Sequence, residues 1–382
     1  MQMIESTDAL KEAVHTLSTE DFVTVDTEFV RDKTYWPKLC LVQLAGTENA
    51  YIVDPLAEGM DLTPLFRLMQ NPAVLKVFHA ARQDIEIFVN LTGDVPKPLF
   101  DTQVAAMVCG FGDQVGYETL ARKLAGAQLD KTSRFTDWTR RPLTKKQLNY
   151  AIGDVTHLRI IFEKMRDQLA DSDRLDWVGE EMEILTTVDT YINNPDEAWR
   201  RVKTRSVNPR FLAILKHLAA WRERAAQDRD IPKNRILKDD ALTEIAAHSP
   251  KSVQELEALR GVPQGLARGR FGPDIVKAVE AGLAMSEDDA PKLERPEPLP
   301  NGIGPLVELL KVMLKLKAEE HDVAPRLIAN VADLERIAAN DHADVAALHG
   351  WRRKVFGEHA LALKHGRLGL TVEGNAIKVM EL

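Results

Sequence analysis

Alternation of apolar and polar residues with a period of two, the mark of a half-buried strand, is most evident in the part of this 382-residue chain that precedes His79. The stretch FVTVDTEF at 22–29 sets Val23, Val25 and Phe29 on one face and Phe22, Thr24, Asp26 and Glu28 on the other. A second apolar strand is predicted at 38–45. The GTEN turn at 46–49 and a third strand at 50–54 complete a meander. Residues 62–69 then read as a helix and 74–79 as a fourth strand. Residues 82–90 read as a helix with Ile85, Phe88 and Val89 inward. Asp101 or Thr102 is placed to cap a helix through Val108, another helix spans 117–124, and Thr144 begins a long one through Leu169. Three strands, a helix, a strand and then helices predict an α/β core with a mixed sheet.

From about Ser172 onward strand signals vanish. Helical periods occupy 210–227, 239–247, 252–259 and 273–285, divided by the turn-rich DRDIPKN and RGVPQG. The stretch SEDDAPKLERPEPLPNGIG is rich in Pro and acids and lacks apolar periodicity, so it reads as a linker; helical periods resume at 305–319, 325–339 and 351–363. The segments flanking that linker are alike, ILKHLAAWRERAAQDRDIPKNRILKDDALTEIA against LLKVMLKLKAEEHDVAPRLIANVADLERIA, which indicates a degenerate internal repeat. A chain of this length exceeds what one hydrophobic core serves, so two or three domains are expected.

A net charge of −8 is unevenly spread, and the segment from Arg200 to Lys238 carries a local excess of +9. Binding to a polyanion follows local charge, so an acidic region followed by a basic one suits a nucleic-acid partner, although basic runs are also common on solvated helix faces. Cys40 and Cys109 lie in apolar surroundings, KLCLVQL and AAMVCGF, as reduced core thiols do. The N-terminus lacks a basic start followed by an apolar run, and no 18 consecutive apolar residues occur. The expected location is the cytoplasm, with no membrane partner.

Asp26 and Glu28 are two apart on one strand, so both carboxylates point the same way and call for a cation, unless they are solvent-facing or salt-bridged. Tyr150 and Asp154 in NYAIGDV are four apart and stack on one helix face. HAARQDIEIF puts Asp84 in the first turn of a helix directly after a strand, where an acid also gains from the helix dipole alone. Together Asp26, Glu28, Asp84 and Asp154 are hard oxygen ligands of the kind Mg²⁺ or Mn²⁺ prefers, whereas the histidines and cysteines form no zinc spacing.

VDTEF, HAARQD and NYAIGDV, in that order, resemble the three exonuclease motifs of the DEDD superfamily, and Tyr150 four before Asp154 resembles its tyrosine-bearing branch. The segment DKTSRFTDWTRRPLTKKQLNYAIGDVTHL resembles bacterial ribonuclease D, and the two helical units resemble the paired HRDC domains of that family, the second more divergent. The second motif often has Asn after its His; here Ala80 stands there. The resemblance spans essentially the whole chain. It implies a ribonuclease H-like exonuclease core with a mixed sheet at 1–195, all-α HRDC-like domains at 205–287 and 304–382, and a Pro/acidic linker at 288–303. It also implies that Asp26, Glu28 and Asp154 hold one divalent cation, Mg²⁺ or Mn²⁺. Asp26 then bridges to a second cation that Asp84 supports through water, while Tyr150 orients the attacking water. The implied reaction releases nucleoside 5′-monophosphates from the 3′ end of RNA. The implied partner is RNA with a single-stranded 3′ end, chiefly tRNA precursors, bound by a monomer.

Candidate substrate contacts are Phe29 and His79 beside the first two motifs, with a core role as the other reading. Arg134, Trp138, Arg140 and Arg141 join positive charge to an aromatic ring near the third motif, though Trp138 could instead anchor its loop. In the first helical unit Lys233, Asn234 and Arg235, with Trp221 and Arg222, are candidates to grip a phosphate backbone; helix packing is the other role for Trp221. Two further readings stay open: a DNA 3′-exonuclease, and an RNA-binding adaptor with an inactive nuclease fold.

Overall fold

The computed structural model describes residues 1–129, 136–293 and 299–382. Its N-terminal part is built on a six-stranded sheet in the order β1-β4-β3-β2-β5-β6. The strands are β1 (Gln2–Ile4), β2 (Phe22–Val30), β3 (Lys38–Ala45), β4 (Ala50–Val53), β5 (Leu75–Phe78) and β6 (Leu99–Asp101). β2, β3 and β4 form the antiparallel meander, while β1 on β4, β5 on β2 and β6 on β5 are parallel, so the sheet is mixed as expected. Helices α1 (Thr7–Leu17), α2 (Thr63–Met69), α3 (Arg82–Thr92), α4 (Thr102–Val108), α5 (Tyr117–Leu124), α6 (Lys145–Asp171) and α7 (Leu175–Leu185) cover it.

β2 sits between β3 and β5 and is buried on both faces along its first half, with Phe22, Val23, Thr24 and Val25 all removed from solvent. A buried hydroxyl needs partners, and that of Thr24 donates toward the carbonyls of Ala45 at 3.2 Å and Val155 at 2.9 Å, tying α6 across the strand. α6 starts where the sequence indicates. The Thr144 side chain accepts from the Gln147 amide, and the Gln147 side chain accepts from the Thr144 amide, a complete capping box.

The first helical unit comprises α8 (Pro209–Arg229), α9 (Lys233–Ile236), α10 (Asp239–His248), α11 (Val253–Glu257), α12 (Gln264–Arg268) and α13 (Phe271–Ala284). The second comprises α14 (Gly304–Glu320), α15 (Pro325–Ile328), α16 (Val331–Ala339), α17 (Gly350–Arg352) and α18 (Glu358–Lys364). The repeat read from the sequence has a counterpart in structure. α8 and α14 are each followed within two residues by an aspartate in the left-handed conformation, Asp230 and Asp322, and then by a short and a longer helix.

The units attach differently. Asp230 accepts from the backbone amides of Tyr35 and Trp36, both at 2.9 Å, so the first unit grips the loop that leaves β2. The second shares one continuous hydrophobic core with the sheet domain, extending from Ile4 to Leu363. There Trp177 stacks on Trp351 at 4.3 Å and 5°, and the Ala324 amide donates to the Met107 carbonyl at 2.9 Å.

The second unit is not all-α, which corrects the sequence expectation. Its C-terminus forms an antiparallel hairpin, β7 (Leu368–Glu373) and β8 (Ala376–Glu381), turning at Gly374 with φ +62°. The ribbon is largely exposed on both faces, so its alternation lacks the run of buried side chains that makes a strand conspicuous. The helix expected at 325–339 divides at Asn330, whose side chain caps α16 by accepting from the Asp333 amide. Helices α1 and α7 and strands β1 and β6 were not anticipated; the strands are only three residues long. Among the described residues no helix is long and apolar enough to cross a membrane.

Candidate active site

Three elements meet at one end of β2. That strand carries Asp26 and Glu28 on one face, and its pairing with β3 shifts register between Glu28 and Phe29, a bulge that re-aims side chains at the strand's end. α6 crosses this face and presents Tyr150 and Asp154 on successive turns. Asp26, Glu28 and Asp154 each offer a carboxylate oxygen, and these atoms lie within 4.8 Å of one another. α3 follows β5 and brings Asp84 in its first turn, buried at 7% exposure, where it accepts from the Thr27 hydroxyl at 2.5 Å.

Burial, then repulsion from Asp154, holds the Asp26 carboxyl well above the ordinary carboxylate range. Burial, then repulsion from Asp26, does the same to Asp84. Like charges this close and this dry are not a stable end state by themselves. The donor set, all carboxylate oxygen and no sulfur, fits a hard divalent cation.

The acids line a cleft of about 540 Å³ together with Phe29, His79, Tyr117 and Tyr150. Burial lowers the His79 pKa, leaving a neutral ring that shares a hydrogen bond between Nδ1 and the Thr102 hydroxyl at 3.0 Å. The Tyr117 hydroxyl reaches the carbonyls of Gly153 and Asp154 at 3.0 and 2.7 Å, bracing the helix turn that carries the last acid. Thr27 and Tyr117 were missed in the sequence. Thr27 sits between the two acids and a Gly precedes Tyr117, but neither has a spacing signal of its own.

The basic-aromatic segment reads differently in space. Trp138 is 2% exposed and packs with Cys40, Leu41, Ile52 and Ala151, its ring 6.2 Å from that of Tyr150, a placement that anchors the loop. Arg141 is committed as well: it forks onto Asp54 at 2.5 and 2.6 Å and donates to the carbonyls of Cys40 and Trp138 at 2.8 Å. Both side chains are thus engaged within the protein as placed. Arg140 is exposed and faces Asp137 at 3.5 Å. Arg134 lies outside the described residues. Lys233 lines a separate crevice with Arg31, Tyr35 and Arg201, while Arg235 reaches the Asp32 carbonyl at 3.3 Å. Trp221 packs edge-on against Phe271, and Arg222 is buried against Asp239 and the Leu237 carbonyl.

Comparison with known proteins bears on this arrangement. Residues 1–170 match the family model of 3′-5′ exonucleases, and 211–279 match the HRDC domain. Ribonuclease D of Nitrobacter hamburgensis is 53% identical over 380 residues, covering 99% of each chain. The chain belongs to the ribonuclease D family. Ribonuclease D of Gluconacetobacter diazotrophicus is 49% identical, covering 98% of this chain and 96% of that one. A crystal structure of Escherichia coli RNase D, an exoribonuclease involved in structured RNA processing, superposes with a TM-score of 0.82 at 30% identity, covering 95% and 98% of the two chains. As a ribonuclease D family member with a 3′-5′ exonuclease module, the chain is a metal-dependent 3′-5′ exoribonuclease. The readings as a DNA exonuclease and as an inactive adaptor are not favoured.

Proposed function

We propose that this exoribonuclease trims 3′ extensions of structured RNA, chiefly tRNA precursors, one nucleotide at a time, using two divalent cations, Mg²⁺ or Mn²⁺. The observation that carries the reading is the convergence of Asp26, Glu28 and Asp154 within 4.8 Å on a cleft that Tyr150 and Asp84 also line. Asp26, Glu28 and Asp154 would hold one cation, and Asp26, with Asp84 acting through water, would hold the other. Two such ions, when bound, lower the pKa of the attacking water and neutralise charge on the scissile phosphate.

The protein's own residues supply position. Tyr150, one turn before Asp154, orients the water through its hydroxyl; an ordinary phenol, with a pKa near 10, is a poor base at neutral pH. Phe29 and the neutral His79 ring flank the space for the terminal nucleoside. Lys233 and Arg235 of the first helical unit lie beside the loop leaving β2, where a strand emerging from the cleft would meet positive charge. In this reading the chain is a monomer of the cytoplasm, with an exonuclease unit at 1–195 and HRDC-like units at 205–287 and 304–382 around the linker 288–303.

The test is a time course on a 3′-extended tRNA, with and without chelator, resolving products one nucleotide at a time. Stepwise shortening that stops with chelator is expected for the chain and is lost in Asp26→Asn. Dominant cleavage of a matched DNA oligomer, or an Asp26→Asn variant as active as the parent, would overturn it.

A further inference from the structure

Asp101 is a buried carboxylate, 2% exposed, that has no part in the four-acid set. It ends β6, level with Phe78 at the end of β5. Its Oδ1 accepts from the amides of Ala80 at 3.0 Å and Gln103 at 2.7 Å, and its Oδ2 accepts from the Ala81 amide at 2.8 Å. The next residue extends the clamp, since the Thr102 hydroxyl bonds His79 Nδ1 at 3.0 Å and donates to the Phe78 carbonyl at 3.1 Å. Residues 78–81 are thus suspended from 101 and 102. They need support, because Ala80 has φ +57°, a conformation that a residue with a Cβ keeps only where its surroundings impose it. α3 begins immediately after this turn, its N-cap Ala81 has no side-chain cap, and Asp84 lies in its first turn.

We propose that Asp101 is a positioning residue for the exonuclease reaction. By holding the amides of Ala80 and Ala81 it fixes the entry angle of α3, and hence where the Asp84 carboxylate and the His79 ring stand in the cleft. Asp84 is then located from two sides, by the Thr27 hydroxyl on β2 and by the clamp behind α3. The inference rests on the two-cation reading above and adds a residue that touches neither substrate nor cation.

A capping role for α4 alone is the competing explanation, and Asp101→Ser separates the two. A serine hydroxyl still caps the Gln103 amide but falls short of Ala80 and Ala81. Positioning predicts that kcat falls about 10- to 100-fold in Asp101→Ser and Asp101→Asn while KM stays within about threefold, the range typical when a buried partner that orients a metal ligand is removed. It also predicts that Mn²⁺ affinity, read by calorimetry without substrate, weakens about tenfold. Wild-type kcat and Mn²⁺ affinity per folded molecule in Asp101→Ser, with only a lower melting temperature, would reduce Asp101 to a helix cap. Asp26→Asn runs alongside: if it too is active the two-cation reading fails, whereas an inactive Asp26→Asn beside a fully active Asp101→Ser removes this inference alone.

Discussion

Asp26 and Asp84 carry like charge in a space too dry to screen it, and both carboxyls are pushed upward in pKa, by burial first. An acid whose folded pKa exceeds its unfolded one binds more protons in the native state over the interval between them, so stability falls as pH rises through that interval. Without metal, neutral pH therefore lies on the unfavourable side for this pair. Asp26→Asn should raise the melting temperature of the chelated protein at pH 7.5 and abolish the further rise that Mn²⁺ gives the parent; a variant that melts lower in chelator contradicts the repulsion. Tyr150→Phe removes one hydroxyl and no cation ligand, so turnover should slow by about 10- to 100-fold while calorimetric Mn²⁺ affinity is kept. Equal turnover would show that the phenol orients nothing. At this scale much of the site was legible, since two-residue spacing on a strand and four-residue spacing on a helix dictate shared faces wherever the chain runs. The protein partners of Trp138 and Arg141 were not legible, for the opposite reason. Their composition suited RNA, but the partners that claim Arg141, Asp54 and the Cys40 carbonyl, stand on or next to strands far back in the chain, and no local pattern announces such a pairing.

Elements were legible in proportion to how strongly one face is buried. α6 carries both a capping box and a long inward stripe from Ala151 to Leu169, and its start was read to within one residue; the exposed hairpin at the C-terminus has neither aid. β5 hides a less visible feature. Lys76 is fully buried on it, with Nζ donating to the carbonyls of Asn71 at 2.8 Å and Val74 at 2.7 Å and also to Lys97, which closes the loop before β6. Burial lowers its pKa from 10.5 to about 8. A cation with a depressed folded pKa loses its proton at lower pH in the native state than in the unfolded one, so stability is gained as pH climbs from 8 toward 10.5. Relative to Lys76→Met, the parent should therefore gain about 2 kcal/mol of unfolding free energy between pH 7 and pH 9.5. Urea unfolding at the two pH values checks this, and parallel curves would mean that Lys76 is not desolvated in the native chain.

The arrangement of the three units was not legible at all, because single distant residues make it. Trp351 finds Trp177, Asp322 sits against Gly110 where a Cβ would clash, and Asp230 takes the amides of Tyr35 and Trp36. The consequence is unequal coupling: the first helical unit holds the loop leaving the catalytic strand by polar contacts, while the second is fused to the sheet domain through a common core. Arg352 is the polar centre of that fusion. It is 7% exposed, donates to the Leu327 carbonyl and to Glu180 at 2.8 Å each, and also contacts Glu181, whose side chain is only 16% exposed. Arg352→Met keeps the aliphatic stem beside Trp351 but strands the Glu181 carboxylate and the Leu327 carbonyl. Breaking such a pair costs about 3–5 kcal/mol when fully buried, and the 48% exposure of Glu180 brings the expected loss to roughly 2–4 kcal/mol. Because the deficit is local to the junction, calorimetry should resolve the parent's unfolding into two transitions in the variant, the second helical unit melting first. Turnover of a short RNA oligomer should stay within about twofold, since no acid of the cleft lies at this junction. One undivided transition at the parent's temperature would mean that the shared apolar core alone joins the two bodies and that Arg352 is incidental to it.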